Sequence, residues 1–234
     1  MNSLRVRLPI LLLELVVWGV ASLLAQSSVT ISLTVDATQA PEKIIRTHMV
    51  MPVKPGPVTL YYPKWIPGEH TPSGPVGNVA GLRFSAEGKT LPWRRDLLDV
   101  FTFHLDVPSG VERLEVAFDY IEPSSGMFSG GGSATDKLVI VSWNQNVLYP
   151  AWSRAENITI KPTLLLPSGW KFGTPLPVET MAGEEVTFKP VSFDRLVDSP
   201  VIAGEFYRAV DVTPPMSPSI TKLTLWPTAL RRSR

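Results

Sequence analysis

The sequence contains no cysteine in its 234 residues. That excludes a disulfide framework and any thiolate chemistry, so an apolar core must hold the fold. Histidine is nearly as scarce, with only His48, His70 and His104. The zinc-peptidase pattern H-E-x-x-H is absent. It needs two imidazoles on one helical face and a glutamate between them as general base. The G-x-S-x-G nucleophile elbow is missing too, and no G-x-x-x-x-G-K-[ST] run is present to cradle phosphate. Charge excess is lacking as well: 22 Lys and Arg stand against 21 Asp and Glu. Nothing in that balance draws nucleic acid or acidic lipid. The only basic run, RRSR, is the last four residues. Past the N-terminus no segment repeats with helical period, although FDRLVDSP (193–200) has room for a single turn.

Short alternating segments are present instead. VTISLTVD (29–36) places Val29, Ile31, Leu33 and Val35 on one side and polar residues on the other. That is the pattern of a half-buried strand. FTFHLDV (101–107) and RLEVAFDY (113–120) repeat it, and the turn-rich PSGVE between them predicts a hairpin. KLVIVSW (137–143) and NITIKPTLLLP (157–167) also read as strands, and Pro162 marks the latter as an edge or a bulge. With 23 prolines, 16 glycines and 44% hydrophobic residues, the chain reads as all-β. The expected architecture is a two-layer β-sandwich of mostly antiparallel strands. The tryptophans sit among apolar neighbours and are expected to pack in the core or at strand edges. Ser124 to Asp136 reads as a flexible, exposed loop.

Residues 1–27 have the form of a signal-peptide helix: Arg5 and Arg7, then an apolar run from Leu8 to Ala25. An uncleaved membrane anchor is the other reading of that run. Cleavage removes two arginines and Glu14, leaving the mature chain with equal numbers of basic and acidic side chains. The product would be exported, periplasmic or extracellular, with a membrane partner only where the segment is retained.

One polar loop stands out. In YYPKWIPGEH (61–70), Glu69 and His70 follow a Pro67-Gly68 turn, and Pro72 and Pro75 stiffen what comes next. Neighbours on an extended chain point to opposite sides, so this pair does not chelate one ion. A stiff loop can still present Trp65, Gly68, Glu69 and His70 to a ligand. His48 and His104 read as ordinary solvated strand histidines.

Four blocks occur in order: YYPKWIPGEHTPSGPVGNVAGLRF, VSWNQNVLYPAW, LLLPSGWKFGTPL and FDRLVDSPVIAGEFYR. Together they resemble the N-terminal domain of the M61 peptidases, the glycyl aminopeptidase family. The resemblance implies a β-sandwich, residues 28–226, that supports a zinc catalytic domain and walls the substrate cleft. It implies that Trp65, Gly68, Glu69 and His70 lie near that cleft. It implies no catalytic residue, metal ligand or cofactor in this chain; zinc belongs to the absent catalytic domain, which would be the partner. A stand-alone exported module, binding carbohydrate or a protein through its tryptophans, remains the alternative. Residues 227–234 form an atypical tail. LWPTALRRSR replaces a family stretch like V-A-D-S-P-A, and a one-base shift converts codons for Trp-Pro-Thr-Ala-Leu-Arg into codons for that stretch. The tail is therefore expected to be a frameshift product. Sequencing the source DNA beyond the Arg234 codon checks this. An H-E-x-x-H segment should appear in some frame within a domain's length, and its absence from all frames overturns the frameshift.

Overall fold

The computed structural model describes residues 28–66, 69–123, 133–211 and 222–225. The expected leader, most of the glycine-rich loop, Gly68 and the atypical tail lie outside them. Strands dominate the described residues and are numbered β1 to β19 in chain order. The long sheet runs β14 (Val178–Ala182), β15 (Glu185–Phe188), β12 (Ile158–Leu165), β1 (Val29–Asp36), β2 (Ile44–Pro52), β8 (Arg113–Ile121), β4 (Val79–Ala86) and β5 (Lys89–Leu91). Short β16 (Val191–Ser192) also pairs with β12. Two four-stranded sheets face it. One is β13 (Lys171–Gly173), β17 (Val201–Gly204), β10 (Leu138–Val141) and β9 (Ser133–Ala134). The other is β11 (Tyr149–Pro150), β3 (Gly56–Tyr61), β7 (Thr102–Val107) and β6 (Trp93–Arg95). A separate ladder pairs β18 (Arg208–Asp211) with β19 (Lys222–Leu225). Every pairing is antiparallel except β1 with β12. The fold is an all-β sandwich.

Alternation decides the faces. In β1 the burial pattern follows the sequence residue by residue, and Ile31, Leu33 and Val35 are buried. β8 buries Leu114, Val116, Phe118 and Tyr120 in the same way. These side chains meet Val58, Leu60, Phe103, Leu105, Val139 and Val141 of the facing sheets in one continuous core. The chain steps from the long sheet to a facing one at Pro92, between β5 and β6. A proline carries no N–H to strand there.

One sequence expectation needs correction, and another is decided between its two alternatives. β7 and β8 do not form a hairpin: β7 pairs with β3 and β6, and β8 with β2 and β4. The PSGVE link crosses between layers. Alternation assigns a residue to a face but names no partner strand. Of the two readings of Pro162, an edge or a bulge, the structure takes the bulge: β12 lies between β1 and β15, and its register slips by one residue between Ile160 and Thr163. On one side it pairs with β16 at Thr159 and Ile160, then with β15 from Thr163 onward. Pro162 sits in the gap between these two partners, where a missing donor costs least. The one-turn helix is present as α1 (Phe193–Val197), where the Ser192 hydroxyl accepts from the Arg195 N–H at 3.2 Å. That is an N-cap.

A polar seam runs through the core. Asn144, Gln145 and Asn146 are buried beside Trp143. Thr47 bonds Asn146 Oδ1 at 3.3 Å, and Tyr62 donates to the Gln145 carbonyl at 3.0 Å. Glu122, at the end of β8, is only 2% exposed, and neither carboxylate oxygen has a partner among the described residues. Burial pushes its pKa up to about 7, with Lys43 pulling weakly the other way. Burial also raises Tyr120 to about 12. A carboxyl raised above its ordinary 4.5 loses stability for the fold as pH rises from there to about 7. Glu122→Gln should therefore stabilise the domain by about 2 kcal/mol at pH 8 and by little near pH 4.5. Urea denaturation at the two pH values checks this.

Candidate functional site

The stiff loop of the sequence reading leaves β3 and folds back on itself. The Gly74 N–H donates to the Lys64 carbonyl at 3.0 Å, and the Glu69 N–H to the Ile66 carbonyl at 3.0 Å. A Cβ on Gly74 would collide with the Pro63 carbonyl and the Lys64 Cα, so the return strand needs glycine there. Ser73 donates its hydroxyl to Glu69 Oε2. Glu69 is thus half-buried and spent within the loop, while His70 is exposed. Trp65 is 62% exposed, contrary to the packing expected of the tryptophans; Trp152 is exposed as well. Trp143, by contrast, is fully buried. Trp65, Glu69 and His70 therefore share a loop but form no chemical cluster. Among the described residues, no three His, Asp or Glu side chains stand close enough to hold a metal ion.

A second loop lies against the first. Residues 96–101 join β6 to β7, and Lys64 reaches Asp99 at 2.9 Å. Asp96 organises this loop. Its Oδ1 accepts from the Leu98 and Asp99 N–H groups at 2.9 and 3.0 Å. Its Oδ2 meets His104 Nε2 at 2.9 Å. Asp99 accepts from the Phe101 N–H and the Thr102 hydroxyl. The His104 bond, helped by the two backbone donors, holds the Asp96 pKa down to about 2. The Lys64 ammonium lowers Asp99 in the same way.

His104 is therefore not the solvated histidine the sequence suggested. It sits half-buried on β7 with Thr59 Oγ1 at 3.0 Å from its other ring nitrogen. Thr59 lies directly opposite on β3. The register made this invisible in the sequence, because Thr59 is 45 residues away. The Asp96 contact spans only eight residues, and a carboxylate just before a strand that contains a histidine was a legible signal.

This hydrogen-bonded scaffold displays an apolar tip. Leu97 is 94% exposed and Leu98 97%, with Val100 and Trp65 also exposed nearby in the two loops. Isolated exposed apolar residues are ordinary, but adjacent leucines on a hydrogen-bonded loop form an exposed apolar patch. The arrangement has hydrogen-bond order and apolar display. It has no nucleophile with an aligned base facing a cleft, and no open metal position.

No curated protein matches the sequence. Among solved structures, an aminopeptidase N family protein from Idiomarina loihiensis superposes with a TM-score of 0.71 at 14% identity. The match covers 83% of this chain and 32% of that one, which establishes the fold alone. An M1 zinc metallopeptidase from Deinococcus radiodurans reaches only 0.46 at 12% identity, covering 85% of this chain and 47% of that one. That likeness is too loose to argue from. The chain thus spans less than half the length of either relative. The family described as Peptidase M61 N-terminal domain matches residues 32–205, three quarters of the sequence, and the chain belongs to that family.

Proposed function

We propose that this chain is the non-catalytic front domain of an M61-type zinc peptidase. Residues 28–226 form the domain, residues 1–27 direct its export, and its work is to support the peptidase domain beside the substrate cleft. The observation that carries this reading is the family match over residues 32–205. The fold is consistent with it: in the Idiomarina protein the same architecture accounts for only 32% of the chain, so further protein accompanies it there.

The tip at Leu97 and Leu98 is the surface best suited to that role. Its loop is held by Asp96, His104, Asp99 and Lys64 before any partner arrives. Little conformational entropy is left to lose on docking. The occupant is the zinc-bearing domain itself, with an apolar recess to receive the two leucines. The adjoining Trp65–His70 loop would then face the cleft, and zinc in the partner domain would supply the activated water.

Two measurements test the reading. The purified chain, supplied with zinc, should not hydrolyse aminoacyl p-nitroanilides; turnover abolished by a chelator overturns the non-catalytic assignment. The chain co-expressed with the zinc-bearing segment encoded downstream should co-purify with it. The double variant Leu97→Asp, Leu98→Asp should lose that association while keeping its urea midpoint. Association unchanged in the variant, or no such segment downstream, overturns the docking assignment.

A further inference from the structure

The outer face of the long sheet carries a depression of about 600 Å³, remote in the strand order from the loops just described. Two cross-strand rows build it. One runs from Thr34 on β1 to His48 on β2, Ala117 on β8 and Arg83 on β4. The next runs from Asp36 to Arg46 and Asp119. The small Ala117 and Gly81 form the floor between taller neighbours.

The position of Arg83 needs explanation. Ala80 pairs with Asp119 and Arg83 with Ala117, and both face outward although they are three residues apart. Regular alternation would turn Arg83 into the core. A bulge prevents this: Gly81 and Leu82 together oppose Phe118, and Gly81 takes a positive φ of 62°. A bulge of this kind re-aims a side chain. Here it brings a guanidinium to the rim of the depression.

The carboxylates nearby are already occupied. Asp36 accepts from the Thr38 N–H at 2.9 Å and from its hydroxyl at 2.6 Å. Asp119 is paired with Arg46 at 3.8 Å. Arg83 and His48 have no hydrogen-bond or ion-pair partner among the described residues. They stand two strands apart, about 10 Å between backbones, on either side of the alanine floor.

We propose that this depression binds a carboxylate, with Arg83 giving the planar two-point contact and His48 closing the opposite side. A guanidinium fork matches a carboxylate in geometry as well as charge. Asp36 and Asp119, in the adjacent cross-strand row, disfavour a dianion such as phosphate. The ligand is therefore a singly charged acid, either the C-terminus of a peptide or a free small acid.

The test is a proton–carbon NMR titration of the full chain, following the His48 ring. The probes are acetyl-alanyl-glycine, its C-terminal amide, acetate and inorganic phosphate. The acid should give saturable shifts at His48, and the amide none. Arg83→Gln should weaken the acid about tenfold, as expected for loss of one charge-assisted contact. Arg113→Gln, on the same sheet but outside the depression, should leave the affinity unchanged. Acetate binding as tightly as the acid supports the free-acid ligand; weaker acetate supports a peptide end. Equal response to acid and amide, unchanged affinity in Arg83→Gln, or tighter binding of phosphate overturns the proposal.

Discussion

The dry interior between the two layers governs the rest of this structure. With no cysteine to cross-link it, the sandwich is held by apolar burial and packing alone. An aromatic bridge stands near each end of the long sheet. Toward the β15 side, Trp143 is fully buried with its ring edge-on to Phe188 at 5.9 Å. Its indole N–H donates to the Ser199 carbonyl at 2.8 Å, which removes the cost of burying a lone donor. Toward the β4 side, Trp93 lies edge-on to both Phe84 and Phe103 at 5.9 and 5.6 Å. These bridges fix how far apart the layers stand. Since each strand residue belongs to one face, most of the polar chemistry is left to the outer faces and the loops, apart from the buried seam at Thr47 and residues 144–146.

The faces were legible in the sequence and the partners were not. β1 and β8 could be read almost to the residue, because a strict period of two survives any choice of neighbour. The hairpin between β7 and β8 failed because a turn-rich link of five residues can cross between layers as readily as it reverses within one sheet. Pro162 left an edge and a bulge open, and the structure takes the bulge. A proline needs only a gap in pairing, and two short partners laid end to end supply one inside a sheet.

The candidate site was half legible for the same physical reason. The doubling back of the Trp65–His70 loop follows from its prolines and glycines, and Glu69 finds Ser73 only four residues on. The role of His104 depends on a cross-strand neighbour, Thr59, and register is set by the whole sheet. Leu97 and Leu98 carry a local clue in the sequence. Asp96 and Asp99 bracket them with short side chains suited to bonding their own backbone. Apolar residues inside such a bracket are held outward, whereas in a loose loop they would fold back onto the surface.

The outward networks tie a surface loop to the strand beneath it. Asp96 links a strand histidine to two backbone amides of the displayed loop, so β7 and the loop tip move as one piece. β7 in turn contributes Phe103 and Leu105 to the shared core. The apolar tip is thereby coupled to the interior through two carboxylates, Asp96 and Asp99, whose ionised forms are both favoured. Both carboxylates lie outside the apolar core, so the order of the tip and the packing of the interior rest on different groups. The proposed supporting role would use that division: a core that sets position and a surface loop that transmits it.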